Sequence, residues 1–332
     1  MQLQSPLINT IIKTMTIISK DIVKAIEILN NDDVVAIPTE TVYGLAGNIY
    51  SEKAIKKIFQ VKQRPLFNPL IVHIHSIKKI HDIVSEFPDK AEILANAFWP
   101  GPLTLILKKK SNIPDLITGG KDTVAVRIPN HPITLSLLKQ LSFPLAAPSA
   151  NPFNRISPTS SLHVEDYFKN TISMVLEGGE CKNGIESTII GFENNEPVLY
   201  RLGSISIEDI INVIGQIKIK NNKEIAPNAP GMLAKHYAPK TKTYLVNDVE
   251  NFVKNYQNKK IGILRFSEDI HSINVVHVEI LSKTGDLKEA ASRLYNSLHK
   301  LDNLNLDMIV AEIVPDFGLG KSINDRLERA TK

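Results

Sequence analysis

An α/β fold follows from three features of this 332-residue sequence: short apolar strand-like runs, amphipathic helical stretches alternating with them, and spacings between several runs too short for a crossover helix. The alternation indicates helices packed on a sheet. The short spacings demand antiparallel neighbours, so the sheet is expected to be mixed.

Taken in order, Ser19 is placed to cap a helix whose Ile22, Ile26 and Leu29 share one face, and residues 34–37 form a buried strand. Ser51 caps a second helix carrying Ile55, Ile58 and Phe59, which ends near Lys62 because Pro65 follows; residues 70–74 are the next strand. Further strands are expected at 103–107, 124–128, 145–147, 174–177, 188–190 and 198–200. From about residue 218 to 242 the composition turns rich in Asn, Lys and Pro and reads as a linker. Beyond it, strands at 261–264, 275–281 and 308–314 alternate with helices at 249–256 and 287–301, the pattern of a small parallel, Rossmann-like α/β domain. The division is therefore an N-terminal extension over 1–18, a larger domain over 19–217, a linker over 218–242 and a smaller domain over 243–332, with Met15 as an alternative start to Met1.

Composition narrows the function classes. Hydrophobic residues at 43% and charged residues at 22% fit a globular protein, and no apolar run reaches the ~18 residues of a membrane span. The first residues lack the compact apolar core of a secretory signal, and the single cysteine, Cys181, excludes an internal disulfide and a multi-cysteine zinc site. A reducing cytoplasm is the expected location. A net charge of +4 favours anionic ligands or RNA without requiring either.

The chemistry-bearing stretch begins at Pro38-Thr39-Glu40-Thr41-Val42-Tyr43-Gly44-Leu45 and continues through Lys62, Arg64, Asn68 and His73, a strand end, a glycine turn and a set of cations and amides suited to a phosphorylated ligand. Arg127 and Arg201 sit in or beside apolar strands, where an unpaired charge is costly; each needs a carboxylate, from the protein or a ligand, or a phosphate. Ser149, Asn151 and Ser187 add donors at strand ends. His73 is read as a donor to substrate and His75 as a surface residue; the pair lacks a third ligand for a metal. Lys108 to Lys110 read as a solvated edge. The segment at 318–322 fails as a phosphate-binding P-loop because Pro315 stands where glycine is needed, and neither a dinucleotide fingerprint nor a G-x-S-x-G elbow is present.

Together the stretches PTETVYGL, KQRPLFNPLIVH, WPGPLT, DTVAVRIP, APSAN, IESTII, YRLG, APGMLAKHYAP and GLGKSINDRLERA closely resemble the YrdC-like family in its long two-domain form, the L-threonylcarbamoyl-adenylate synthases. The resemblance implies a YrdC-like twisted mixed sheet and synthesis of threonylcarbamoyl-adenylate from L-threonine, bicarbonate and ATP with release of pyrophosphate, for modification of tRNA beside the anticodon. It implies threonine at Thr41, His73, Arg127, Ala147 and Ser187. It implies ATP at Arg64, Asn68, Thr123, Ser149, Ser157, Arg201 and Tyr237, with Lys62 and Asn151 also at the phosphates. Mg²⁺ would arrive with ATP, tRNA-modifying proteins and tRNA are implied partners, and the linker would fold over the nucleotide as a lid. Two other functions stay in view: a carbamoyl-transfer maturation factor of the hydrogenase type, which the single cysteine argues against, and an RNA-binding or regulatory module of the same fold without catalysis.

Overall fold

The computed structural model describes residues 15–220, 236–268 and 275–332. Eleven strands build one mixed sheet: β1 (Ile17–Ser19), β2 (Val35–Ile37), β3 (Gly44–Asn48), β4 (Ile71–His73), β5 (Leu103–Lys108), β6 (Thr123–Arg127), β7 (Leu145–Ala146), β8 (Met174–Leu176), β9 (Thr188–Glu193), β10 (Glu196–Arg201) and β11 (Lys218–Ile219). Their spatial order is β1-β8-β2-β3-β7-β4-β6-β5-β9-β10-β11, with parallel and antiparallel neighbours interleaved. A second sheet holds β12 (Thr243–Val246), β13 (Ile261–Arg265), β14 (Val275–Ile280) and β15 (Met308–Glu312) in the order β12-β15-β13-β14, all parallel.

Local chemistry explains where the elements begin and end. Asp21, not Ser19, caps the first helix, Ile22–Asn30, by accepting from Lys24 N at 3.0 Å; residues 17–19 are instead drawn into the sheet edge beside β8. Ser51 caps the helix Glu52–Lys62 through Ala54 N, and Gln63 ends it in the left-handed region at φ 52°. β3 was not legible as a strand because Gly44-Leu45-Ala46-Gly47-Asn48 is built from small residues of low strand propensity; sandwiching between β2 and β7 overrides that. Residues 218–219 pair with β10, so the large sheet runs two residues into the segment read as linker. Most of that segment, with Pro230-Gly231-Met232, lies outside the described residues, as do residues 1–14.

The two sheets share packing. Val42, Ile156, Ile185 and Tyr237 from the larger sheet's side form one apolar cluster with Leu294, Tyr295, Leu298, Ile323 and Leu327 from the smaller. Helices Leu287–Asp302 and Leu319–Ala330 contribute those last five residues, so they press against the loops at one end of the large sheet.

Candidate active site

At that end of the sheet a cleft is lined by side chains from eight separate stretches. The turn between β2 and β3 gives Thr39, Thr41 and Val42; the loop after the Glu52–Lys62 helix gives Arg64; β4 gives His73 and β6 gives Arg127. Ala147 and Ser149 follow β7, Glu186 and Ser187 precede β9, and Arg201 ends β10. His236 and Tyr237 close the remaining wall.

Backbone lacing sets these loops. Leu45 N donates to Pro148 O at 2.8 Å and Ala150 N to Tyr43 O at 2.7 Å, which ties the Ala147 to Asn151 segment to the start of β3. Lys62 donates its ammonium to the carbonyls of Ser149 and Asn151 from behind. Two glycines permit close approach: a Cβ on Gly203 would lie 2.4 Å from the Ser187 carbonyl carbon, and one on Gly101 would lie 2.3 Å from Phe98 O. The Gly101 carbonyl accepts from Arg127 Nε at 3.3 Å.

One half of the cleft suits a small amino acid. Arg127 NH2 lies 2.8 Å from the Glu40 carboxylate, both side chains 5% exposed, close enough for an ion pair but not aligned as a hydrogen bond. Glu40 also accepts from Asn130 N at 3.0 Å, so the carboxylate is fixed and steadies the guanidinium. The choice of partner left open by the sequence thus has a protein carboxylate in it. A planar guanidinium has a second edge, and the cleft meets Arg127. His73 Nδ1 faces Ile71 O at 3.1 Å; a carbonyl only accepts, so Nδ1 carries the proton and Nε2 presents a lone pair. Burial and the charge of Arg127 push the imidazole down to about 3, so it is neutral. His73 is therefore an acceptor, which corrects its reading as a donor. Ser187 Oγ shares a 2.7 Å hydrogen bond with Thr104 Oγ1, and Thr39 Oγ1 shares one of 2.9 Å with Thr41 Oγ1.

The other half is cationic. Arg64 donates to Asn68 O at 3.2 Å, Asn68 Oδ1 at 2.6 Å and Pro69 O at 2.9 Å, and among the described residues it meets no carboxylate. Burial, then the charge of Arg201, lowers its pKa to about 9. Lys62 is lowered by burial and by Arg64, and His236 by burial and by Arg64, Lys62 and Arg201 in turn. Arg201 holds the Ser187 carbonyl at 3.1 and 2.8 Å and Ser187 Oγ at 3.1 Å. The guanidinium charges of Arg64 and Arg201 repel each other and call for an anion. Buried polar atoms without a partner surround them: Asn68 Nδ2, Asn151 Oδ1, His236 Nδ1 and the Tyr237 hydroxyl. Tyr237 also stands at φ 62°, a strained conformation for a tyrosine.

Nine of the residues singled out by sequence line this one cleft: Thr41, Arg64, His73, Arg127, Ala147, Ser149, Ser187, Arg201 and Tyr237. Lys62, Asn68, Asn151 and Ser157 stand one hydrogen bond behind it, on Ser149, Arg64, Ser149 and Glu186 respectively. Two of the three Lys62 donors are spent on carbonyls, which makes Lys62 a clamp on the loop rather than part of the lining. Thr123 lies apart, four residues before Arg127 at the opposite end of β6, in a separate depression with Lys121 and Tyr200. Sequence reasoning missed Glu40, Glu186 and His236. Each adjoins a residue that was chosen, and that adjacency was the available signal.

Cys181 is buried and burial raises its thiol, so it is no nucleophile. Among the described residues no three His, Cys, Asp or Glu side chains group as a metal cage, and no helix is long and apolar enough to cross a membrane.

Comparison with known proteins adds the following. Residues 27–203 match the Sua5/YciO/YrdC family model, described as telomere recombination, and residues 205–331 match the model for the threonylcarbamoyl-AMP synthase C-terminal domain. The chain is 41% identical over 307 residues to the threonylcarbamoyl-AMP synthase of Pyrococcus abyssi, covering 90% of each, and 37% identical over 319 residues to that of Bacillus subtilis, covering 93% and 92%. The crystal structure of P. abyssi Sua5 complexed with L-threonine superposes with a TM-score of 0.88 at 38% identity, over 95% of this chain and 98% of that one.

Proposed function

The chain belongs to the threonylcarbamoyl-AMP synthase family, and from that premise we propose how its cleft performs the reaction. The enzyme forms L-threonylcarbamoyl-adenylate, a step toward threonylcarbamoyladenosine in tRNA. Threonine occupies the half of the cleft around Arg127 and His73, its carboxylate on the outer edge of the guanidinium, its methyl against Ile71 and Ala147. The neutral His73 accepts from a substrate N–H or O–H without repelling an incoming ammonium. The triphosphate occupies the cationic half, with Arg64 and Arg201 as donors and the Tyr237 hydroxyl turned toward it.

In the reaction, the threonine amine takes up CO₂ derived from bicarbonate as a carbamate and releases a proton. A carbamate oxygen then attacks the α-phosphorus, the bond from the α-phosphorus to the bridging oxygen breaks, and pyrophosphate leaves. Both nucleophile and leaving group belong to the substrates, so the protein's task is to hold them in line and to stabilise spreading negative charge. Mg²⁺ belongs to the nucleotide: among the described residues the carboxylate on the cleft wall is Glu186, already engaged by Ser157, Tyr295 and Arg326, so the ion rides on the phosphates as part of the substrate. The cytoplasm, tRNA and the proteins that receive the labile product fit this reading.

The observation that carries it is Arg64, a buried guanidinium whose partners among the described residues are carbonyl and amide oxygens, set in the same cleft as an amino-acid pocket. The test is incubation of the purified chain with ATP, L-threonine and ¹³C-bicarbonate, followed by mass analysis. A labelled threonylcarbamoyl-adenylate supports the assignment; RNA binding with no such product would replace it with the binding-module reading.

A further inference from the structure

Arg326 and Tyr295 lie in the small C-terminal domain, yet both reach the active cleft through one carboxylate. Glu186 accepts from Arg326 Nε at 2.9 Å, from the Tyr295 hydroxyl at 2.9 and 3.1 Å, and from Ser157 Oγ at 2.6 Å. The same helix, Leu319–Ala330, grips the chain just after Arg201: Arg326 NH2 donates to Leu202 O at 2.7 Å and Ser322 Oγ to Gly203 O at 2.8 Å. The residues adjoining Ser187 and Arg201 are thus held by one helix of the other domain. Arg326 also lies under the linker residue Tyr237, its guanidinium carbon 5.0 Å from the ring centroid, and Tyr295 stacks on that ring at 5.7 Å.

We infer that the C-terminal domain is a working part of the active site, with Arg326 as a positioning residue that neutralises Glu186 and so weakens the competition of this carboxylate with the triphosphate for Arg201. The inference rests on the phosphate-site assignment above and adds a role for the C-terminal GLGKSINDRLERA stretch, which the reaction itself does not use. The charge balance carries the argument. Among the described residues, Arg326 pairs with Glu186 and with Asp325, and Asp325 is also held by Arg329, so Arg326 is the guanidinium of this helix that meets Glu186. Burial alone would raise the Glu186 carboxyl, but the charges of Arg326 and then Arg201 hold it low, so both arginines act on it. With Arg326 absent, Glu186 has Arg201 as its remaining strong cation and competes with phosphate for it.

The test compares full-length wild type with Arg326→Met, Glu186→Gln and the double variant, checked for folding by circular dichroism. Calorimetry measures ATP affinity, and kinetics give KM for ATP and for threonine. Arg326→Met is expected to weaken ATP by at least about tenfold while the threonine KM moves less than about threefold, since a purely structural lesion would degrade both. Glu186→Gln in the same chain is expected to restore most of the lost ATP affinity, because it removes the competing charge. Unchanged ATP affinity in Arg326→Met, equal loss for both substrates, or no rescue in the double variant would each overturn the inference. Should Arg326→Met not fold, Arg326→Lys keeps the charge but loses the contacts to Leu202 and Tyr237; it must retain ATP affinity within about threefold, and a tenfold loss there overturns the charge argument. Nucleotide affinity is read without turnover, so a wild type that binds ATP but makes no adenylate would defeat the functional assignment and leave this coupling still measurable.

Discussion

Replacing Arg64 by Met separates ligand binding from folding. The guanidinium's pKa, lowered from the ordinary arginine range to about 9 by burial and by Arg201, corresponds to on the order of 5 kcal/mol held against its charged form. Removing it relieves that strain but leaves Asn68 O, Asn68 Oδ1 and Pro69 O without their donor, at roughly 1–3 kcal/mol each. The two effects oppose each other at similar size, so the melting temperature without ligand should change little. ATP should distinguish the proteins sharply. Loss of one charge-stabilising donor costs roughly 3 kcal/mol, about a hundredfold in Kd. At ATP one hundred times the wild-type Kd, the wild type gains about 2.7 kcal/mol of stability, whereas the variant gains about 0.4. Thermal unfolding with and without MgATP reads this directly, and turnover should fall by roughly 10² or more. A variant that keeps the full ATP-induced shift would refute the placement of the phosphates at Arg64.

Other outcomes follow from the same geometry. Arg127→Lys, which cannot reproduce the fork spanning Glu40, Gly101 and a substrate carboxylate, is expected to raise the threonine KM by at least about tenfold with the ATP KM little changed; equal KM values would remove Arg127 from the threonine pocket. His73→Phe should weaken threonine by roughly 1–3 kcal/mol, and wild-type activity should show no ionisation of His73 between pH 6 and 9, since its pKa is held at about 3. An activity step near pH 6.5 that His73→Phe abolishes would contradict that. His163 and His299 stack across the two domains at 3.9 Å, with folded pKa values lowered to about 4 and about 3 by burial, His299 also by His163. Both bind protons more weakly folded than unfolded, so their stabilising contribution is complete above pH 6.5 and is lost as pH falls toward 4, about 2 kcal/mol per imidazole by pH 5. His163→Phe should therefore lose at least about 2 kcal/mol less than wild type between pH 7.5 and 5 in denaturant titrations; identical losses would show the pair is not the cause.

How far the sequence could be read depended on whether the signal was local. Helix caps such as Ser51, the β-branched runs of β4 and β6, and the cations of the cleft were legible because each is a property of a few adjacent residues. β3 was not, because its glycine-rich strand exists only through its neighbours on both sides. Thr123 shows the converse: it shares a strand with Arg127, but four residues at about 3.3 Å each place it in a depression separate from the cleft. The donor role given to His73 failed for a similar reason, since the tautomer is set by the Ile71 carbonyl and becomes visible only in three dimensions. Glu40 and Glu186 were hidden because a carboxylate's meaning lies in its partners, Arg127 in one case and a helix more than a hundred residues away in the other.

The claim underlying all of this is that the substrates supply every reacting group and the protein supplies only position and charge. Isotope exchange between labelled pyrophosphate and ATP tests it most directly. Exchange that requires threonine and bicarbonate together, and stops when either is omitted, is the predicted result. Exchange with ATP alone would mean that a protein side chain accepts the adenylyl group, and the account of the cleft would be wrong.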